Sequence, residues 1–184
     1  MKWHLIVFQG PSASGKSSLQ AMLGVPRVVT WTSRPPRSGE VQGQHYYFGT
    51  KAQMAVMLEK GELLEMTEYQ GHYYGTHLDA IKEAVERGET RSIVLDANGV
   101  KKVREQFGQS ILVIGVKADK AQCRDRLLKR ASDEADATRR LASFDDEIEA
   151  LVDCDLVIYN SDDNKEKSDL LIRYIKEGLE RDYS

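Results

Sequence analysis

The chain has 184 residues, of which 41% are hydrophobic and 30% charged; this globular balance excludes a disordered tail or a collagen-like repeat, and the length suits one domain at ~150 residues each. With 29 acidic against 26 basic side chains the net charge is −3, which argues against a nucleic-acid coat, since that needs a basic excess to displace counterions. No run approaches the ~18 consecutive apolar residues of a membrane span, no small-residue cleavage site follows the N-terminus, and Cys123 and Cys154 are too few for a disulfide framework or metal clip. A cytoplasmic protein with two buried thiols, and with neither nucleic acid nor membrane as partner, is expected.

In chain order, a strand is predicted over Trp3–Gln9, a helix over Lys16–Leu23 and a second strand over Arg27–Trp31. Residues 32–76 then break the rhythm. They hold six of the 14 glycines and five of the eight tyrosines, with Tyr46-Tyr47-Phe48 and Leu63–Tyr69 as short strands around a helix at Ala52–Glu59. Beyond them come helix Leu78–Arg87, strand Ser92–Asp96, helix Val100–Phe107 and strand Ser110–Lys117. Helices Lys120–Ala131 and Glu134–Leu151, strand Asp155–Asn160 and helix Lys165–Leu179 complete the pattern. Gly24, Gly88 and Gly108 follow three helices where a left-handed cap is commonest. Nearly continuous apolar strands alternating with helices predict an α/β fold: a parallel sheet covered by helices on both faces. The tyrosine-rich segment and the arginine-rich residues 124–150 read as insertions at its mouth, one a small mixed α/β unit and the other a helical lid.

The most specific motif is Gly10-Pro11-Ser12-Ala13-Ser14-Gly15-Lys16-Ser17, which fits G-x-x-x-x-G-K-[ST] between a predicted strand and a predicted helix. Glycines let successive N–H groups turn inward toward phosphate oxygens, and the helix N-terminus adds its positive end. Lys16 is placed to reach the β- and γ-phosphates and the Ser17 hydroxyl to ligate Mg²⁺. A nucleoside triphosphate site is expected over Gly10–Ser18, including Ser18. Asp96, ending the apolar run Ser92–Leu95, reads either as a carboxylate holding Mg²⁺ or its water, or as the start of a turn before Asn98-Gly99.

Thr30-Trp31-Thr32-Ser33-Arg34-Pro35-Pro36-Arg37 sets two guanidinium groups on a stiffened segment, an arrangement suited to a dianionic phosphate. A solvated basic loop is the competing reading. Tyr46 and Tyr74 favour the phosphate, because their hydroxyls lie in the same insertion. His4, His45, His72 and His77 read as surface or packing residues.

The phosphate loop, the run Thr32-Ser33-Arg34-Pro35-Pro36-Arg37 with Gly39-Glu40-Val41 and Tyr46, and Gly71-His72-Tyr73-Tyr74-Gly75-Thr76 together resemble guanylate kinase, a P-loop nucleoside monophosphate kinase. Arg126-Leu127 with Arg130, Arg139-Arg140-Leu141 and Val157-Ile158-Tyr159-Asn160 extend the resemblance over about residues 5–175. It implies one domain over 1–184, with a P-loop NTPase core (1–31, 77–121, 152–184), a monophosphate-binding insertion (32–76) and a lid (122–151). The implied reaction is Mg²⁺-assisted, in-line transfer from ATP to GMP, and to dGMP. By position, Arg34, Arg37, Tyr46 and Tyr74 clamp the acceptor phosphate; Thr30, Glu65 and Thr76 read the base, with Asp96 near guanine and metal. Arg126, Arg130 and Arg140 match lid arginines that act in catalysis with Lys16 and Arg34, and Asn160 matches an adenine contact.

Guanine offers adjacent N1–H and N2–H donors to a carboxylate and O6 to a hydroxyl, whereas adenine would leave the carboxylate opposed by an acceptor. From the sequence alone Glu65 reads as an exposed strand residue, so its role comes from the resemblance. Val94 stands where many relatives carry an acid, Asn98 stands for their Gln, and Trp31 is bulky beside Thr30. A kinase for another nucleotide or a phosphorylated sugar, and a non-catalytic scaffold of similar fold, are the alternatives. Retention of Lys16, Ser17 and the lid arginines speaks against the scaffold.

Overall fold

The structure is a computed structural model that describes residues 3–37, 39–69, 71–129 and 134–181. In chain order its elements are β1 (Leu5–Gln9), α1 (Lys16–Leu23), β2 (Trp31–Thr32), β3 (Tyr47–Phe48), α2 (Lys51–Glu59), β4 (Leu63–Tyr69), β5 (His72–His77) and α3 (Leu78–Glu86). They continue as β6 (Arg91–Val94), α4 (Ala97–Phe107), β7 (Ile111–Lys117), α5 (Lys120–Leu128), α6 (Glu134–Leu141), α7 (Phe144–Glu149), β8 (Leu156–Tyr159) and α8 (Lys165–Arg181).

The first sheet has the order β6-β1-β7-β8 and is parallel throughout. Every residue of β1 is buried, and alternate residues serve opposite faces. Ile6 and Phe8 join Leu19, Leu23 and Ile172 on the side of α1 and α8. Leu5 and Val7 join Ile81, Val100 and Val103 on the side of α3 and α4. This two-faced burial explains the unbroken apolar runs, because a parallel sheet has no solvent side. The fold class is therefore α/β, as expected.

The second sheet, of order β3-β2-β5-β4, is mixed: β2 runs parallel to β3, and β5 runs antiparallel to both β2 and β4. Helix α2 lies against β4 and starts at a capping box in which Thr50 and Gln53 satisfy each other's backbone N–H.

Three expectations change. The strand predicted over Arg27–Trp31 divides: Val28 N–H donates to the Ser92 carbonyl at 2.9 Å and Ser92 N–H to the Pro26 carbonyl at 2.8 Å, while Trp31 and Thr32 belong to the second sheet. The chain leaves the core within two residues, and the apolar run is shared between two sheets. Residues 72–77, read only as a motif, form the central strand β5. The helix predicted over Glu134–Leu151 breaks at Ala142 and Ser143, where Ala142 N–H turns to the Arg139 carbonyl at 3.3 Å and a new helix starts from Ser143, whose carbonyl accepts from Glu147 N–H at 2.9 Å.

Candidate active site

The phosphate loop joins β1 to α1. Gly10 has φ +139, and a Cβ there would stand 2.1 Å from the Val116 carbonyl oxygen of β7. Gly15 has φ +102, and its Cβ would meet Asn160 Nδ2 at 2.0 Å. Both glycines are thus fixed by close approach as well as by backbone sign. Ala13 also has a positive φ, +62, a conformation that few non-glycine residues adopt. Lys16 Nζ curls back onto the Gly10 carbonyl at 2.5 Å and the Pro11 carbonyl at 2.8 Å, and burial lowers its pKa. Ser17 and Ser18 open the helix with exposed side chains.

Asn160, expected as an adenine contact, lies against the phosphate loop. It is 4% exposed, and its amide donates to the Ser14 carbonyl at 2.7 Å, beneath the loop. Arg126 reaches the loop from α5: Nη1 donates to the Ala13 carbonyl at 3.2 Å, while Nη2 reaches the Asn160 carbonyl at 3.2 Å and pairs with Asp162 at 2.6 Å. Arg140 lies on α6 with Nε 3.6 Å from Asp136 of the same helix. Arg130 lies outside the described residues.

The second sheet gathers the expected acceptor residues. Arg34, 8% exposed, pairs with Glu40 at 2.8 Å, donates to the Pro35 carbonyl at 2.7 Å and lies 5.6 Å from the Tyr46 ring centroid. Hydrogen bonds to Glu40 and then to Tyr74 raise the guanidinium pKa further, and the Tyr46 and Tyr74 rings meet edge to face at 6.2 Å. Arg37 has an exposed side chain, while its backbone N–H donates to the other Glu40 oxygen at 2.7 Å. Glu40 therefore braces both arginines, and its bond to Arg34 holds its carboxyl below the usual range. In the sequence Glu40 stands within the motif with nothing to mark this role except its spacing of six and three residues from the two arginines.

Glu65 proves to be buried at 5% exposure, not an exposed strand residue. Its carboxylate accepts from the Thr76 hydroxyl at 2.7 Å, and burial pushes its pKa up. The register pairs Glu65 with Thr76 and Trp31 with Gly75, so one step back along the chain sets Thr30 opposite Thr76. A carboxylate and two hydroxyls thus fall in one row across three adjacent chain segments.

Asp96 takes the turn-opening role first. Oδ1 accepts from Gly99 N–H at 2.8 Å as the N-cap of α4, and Oδ2 accepts from the Thr67 hydroxyl at 2.8 Å. The carboxylate thereby ties the parallel sheet to β4. Among the described residues no three His, Cys, Asp or Glu side chains gather around a metal position. The candidate donors, the Ser17 hydroxyl and Asp96, are hard oxygen ligands. Magnesium keeps most of its water and takes one or two protein oxygens plus substrate phosphates, so this sparse set fits a cation that arrives with a nucleotide.

Glu147 of α7 carried no expectation. Its carboxylate accepts from the Ser143 hydroxyl at 2.5 Å, and burial pushes its pKa up.

A family model for guanylate kinase matches residues 2–177. A guanylate kinase of Halalkalibacterium halodurans is 32% identical over 164 residues, covering 86% of this chain and 80% of the relative. One of Trichodesmium erythraeum is 32% identical over 181 residues, covering 94% and 97%. A crystal structure of guanylate kinase from Anaplasma phagocytophilum superposes with TM-score 0.70 at 24% identity, covering 97% of this chain and 86% of that one. The glycine-braced loop, the Glu40-braced arginines and the buried Glu65 thus sit in a chain matched along almost its whole length, and that chain belongs to the guanylate kinase family.

Proposed function

We propose that the chain transfers the γ-phosphoryl group of ATP to GMP, and also to dGMP, releasing two nucleoside diphosphates. The observation that carries this reading is the buried Glu65 carboxylate, bonded to Thr76 at 2.7 Å in the same sheet as the Arg34–Tyr46–Tyr74 cluster. A base reader and a phosphate clamp on one sheet define a nucleoside monophosphate, and the phosphate loop supplies the donor. In this reading residues 32–76 are the acceptor-binding unit and residues 122–151 the lid.

Transfer between two phosphates needs positioning and charge neutralisation more than covalent help. Lys16, the loop N–H groups and Arg126 hold the donor, with Arg130 and Arg140 closing over it. Arg34 and Arg37, with the Tyr46 and Tyr74 hydroxyls, hold the acceptor phosphate in line. That phosphate is already ionised, so no general base is required. Ser17 and Asp96, the latter through water, would hold Mg²⁺; when bound, the ion neutralises charge that develops between the β- and γ-oxygens. Closure of the lid excludes water, which would otherwise accept the phosphoryl group. Cys123 and Cys154 are unpaired, and burial pushes the Cys154 thiol up to about 11. Such inert thiols suit a reducing cytoplasm.

A panel of acceptors with ATP and Mg²⁺, read by coupled detection of ADP, tests the reading. GMP and dGMP are expected to turn over far better than AMP, UMP or ribose phosphates. Equal turnover across the panel, or none, overturns the assignment.

Arg37→Ala tests the clamp. Its side chain is exposed and its backbone donor to Glu40 survives the substitution, so the segment keeps its shape. Loss of one charge-assisted contact, worth about 1.5–3 kcal/mol, predicts a KM for GMP raised roughly 10- to 100-fold with the KM for ATP unchanged. An unmoved GMP KM would remove Arg37 from the clamp.

A further inference from the structure

Asn160 follows the last residue of β8, two strands away from β1 in the parallel sheet. Its backbone is pinned there, with its N–H donating to the Lys117 carbonyl of β7 at 2.7 Å. From this anchor the side chain reaches under the phosphate loop, where the amide nitrogen donates to the Ser14 carbonyl at 2.7 Å. Oδ1 is buried and has no hydrogen-bond partner among the described residues. The fit is close: a Cβ on Gly15 would stand 2.0 Å from Asn160 Nδ2, so the loop glycine and the distant asparagine are matched to each other. Arg126 adds a second tie, from Nη1 to the Ala13 carbonyl and from Nη2 to the Asn160 carbonyl, each at 3.2 Å.

The peptide unit joining Ser14 to Gly15 is planar, with its N–H opposed to its C=O. Holding the Ser14 carbonyl from below therefore turns the Gly15 N–H to the opposite side, where loop N–H groups meet phosphate oxygens. We infer that Asn160 is a positioning residue for the donor phosphates: its amide nitrogen fixes the Ser14–Gly15 peptide so that the Gly15 N–H is already aimed when a triphosphate arrives. The inference rests on the reading of the loop as the ATP site. The effect passes through the loop backbone and is blind to the donor's base. A loop without the tie spends part of its time with that peptide turned, and the apparent dissociation constant rises by the reciprocal of the competent fraction.

The test is titration calorimetry of ATP, of inorganic tripolyphosphate and of GMP onto the wild type, Asn160→Ala and Asn160→Asp, beside a thermal melt of each. Asn160→Asp keeps the shape of the side chain and an oxygen that could accept from an adenine amine, but it has no N–H for the Ser14 carbonyl. Asn160→Ala adds no charge and so isolates the lost bond. Leaving a buried carbonyl unpaired predicts binding weakened roughly 10- to 100-fold in both variants, by the same factor for ATP and for tripolyphosphate. The affinity for GMP should stay the same, because the Arg34–Tyr46–Tyr74 cluster lies in the other sheet. A loss confined to ATP, with tripolyphosphate binding intact, overturns the inference and makes Asn160 a reader of the base. Unchanged ATP binding in either variant overturns it too. An equal loss for GMP, or failure of both variants to fold, would mark a merely structural role and overturn it as well. A wild type that binds neither ATP nor tripolyphosphate would instead overturn the reading of the loop itself, and this inference with it.

Discussion

Lys16→Ala is expected to lower kcat for ATP-dependent phosphorylation by about 10³-fold while leaving the folded chain intact. The ammonium lies within 2.8 Å of two loop carbonyls, poised at the mouth of the cradle where the β- and γ-phosphates would sit. It is the side-chain cation that the motif itself supplies, and its charge acts in a site where burial already lowers its pKa, so its attraction to phosphate is weakly screened. Stability should respond little. A folded-state lysine pKa below the unfolded value means that the charge disfavours folding at pH values below the unfolded pKa, which offsets the loss of its bonds to the Gly10 and Pro11 carbonyls. Steady-state kinetics beside a thermal melt separate the effects. Activity within tenfold of wild type, at an unchanged melting temperature, would refute the role of the loop.

The loop was legible because its constraints are local. Gly10 and Gly15 are needed where they stand, and an apolar strand and a helix flank them within a few residues. The parallel sheet was legible for a related reason, since burial on both faces leaves Leu5–Phe8 and Ile111–Val116 without polar interruptions. The second sheet was harder. Strands β2 and β3 have two residues each, too short to show a period, and β5 takes its place from the partners on either side of it rather than from its own composition. Residues 27–31 failed for the same reason: one apolar run serves two sheets.

Within the site, residue types were more legible than positions. The Asn160 amide supports a carbonyl 146 residues away in sequence, and no local pattern encodes such a contact. Asp96 reads from the sequence as a metal-side carboxylate or as the start of a turn; the structure shows the cap and a link to Thr67. Glu65 was the sharpest reversal. A segment with three acids looked solvated, yet the pleat turns Glu65 inward onto Thr76 while Glu62 and Glu68 stay toward water. Burial of a single carboxylate in such a run depends on strand register, which the local sequence specifies only weakly.

Glu65→Gln should reduce the preference for GMP over AMP by on the order of 10²-fold, mainly through a raised KM for GMP. The ionised carboxylate presents acceptors to both N1–H and N2–H of guanine, whereas the amide offers one acceptor and one donor, so one guanine donor meets another donor. Losing a hydrogen bond to a charged partner and opposing two donors together account for a few kcal/mol, and a few kcal/mol corresponds to that factor. Folding should not suffer, because Thr76 can donate to an amide oxygen as it does to the carboxylate, and a buried group whose pKa is pushed up carries a charge that disfavours the folded state above that pKa. The melting temperature at neutral pH is therefore expected to hold or rise. Acidity provides a second handle with the same sign: as pH falls through the raised pKa of Glu65, the wild type protonates, turns from acceptor to donor, and its KM for GMP should climb toward that of the variant. The variant itself should show no such rise over that range. Undiminished guanine selectivity in Glu65→Gln, with the fold preserved, would move base recognition away from this row of side chains.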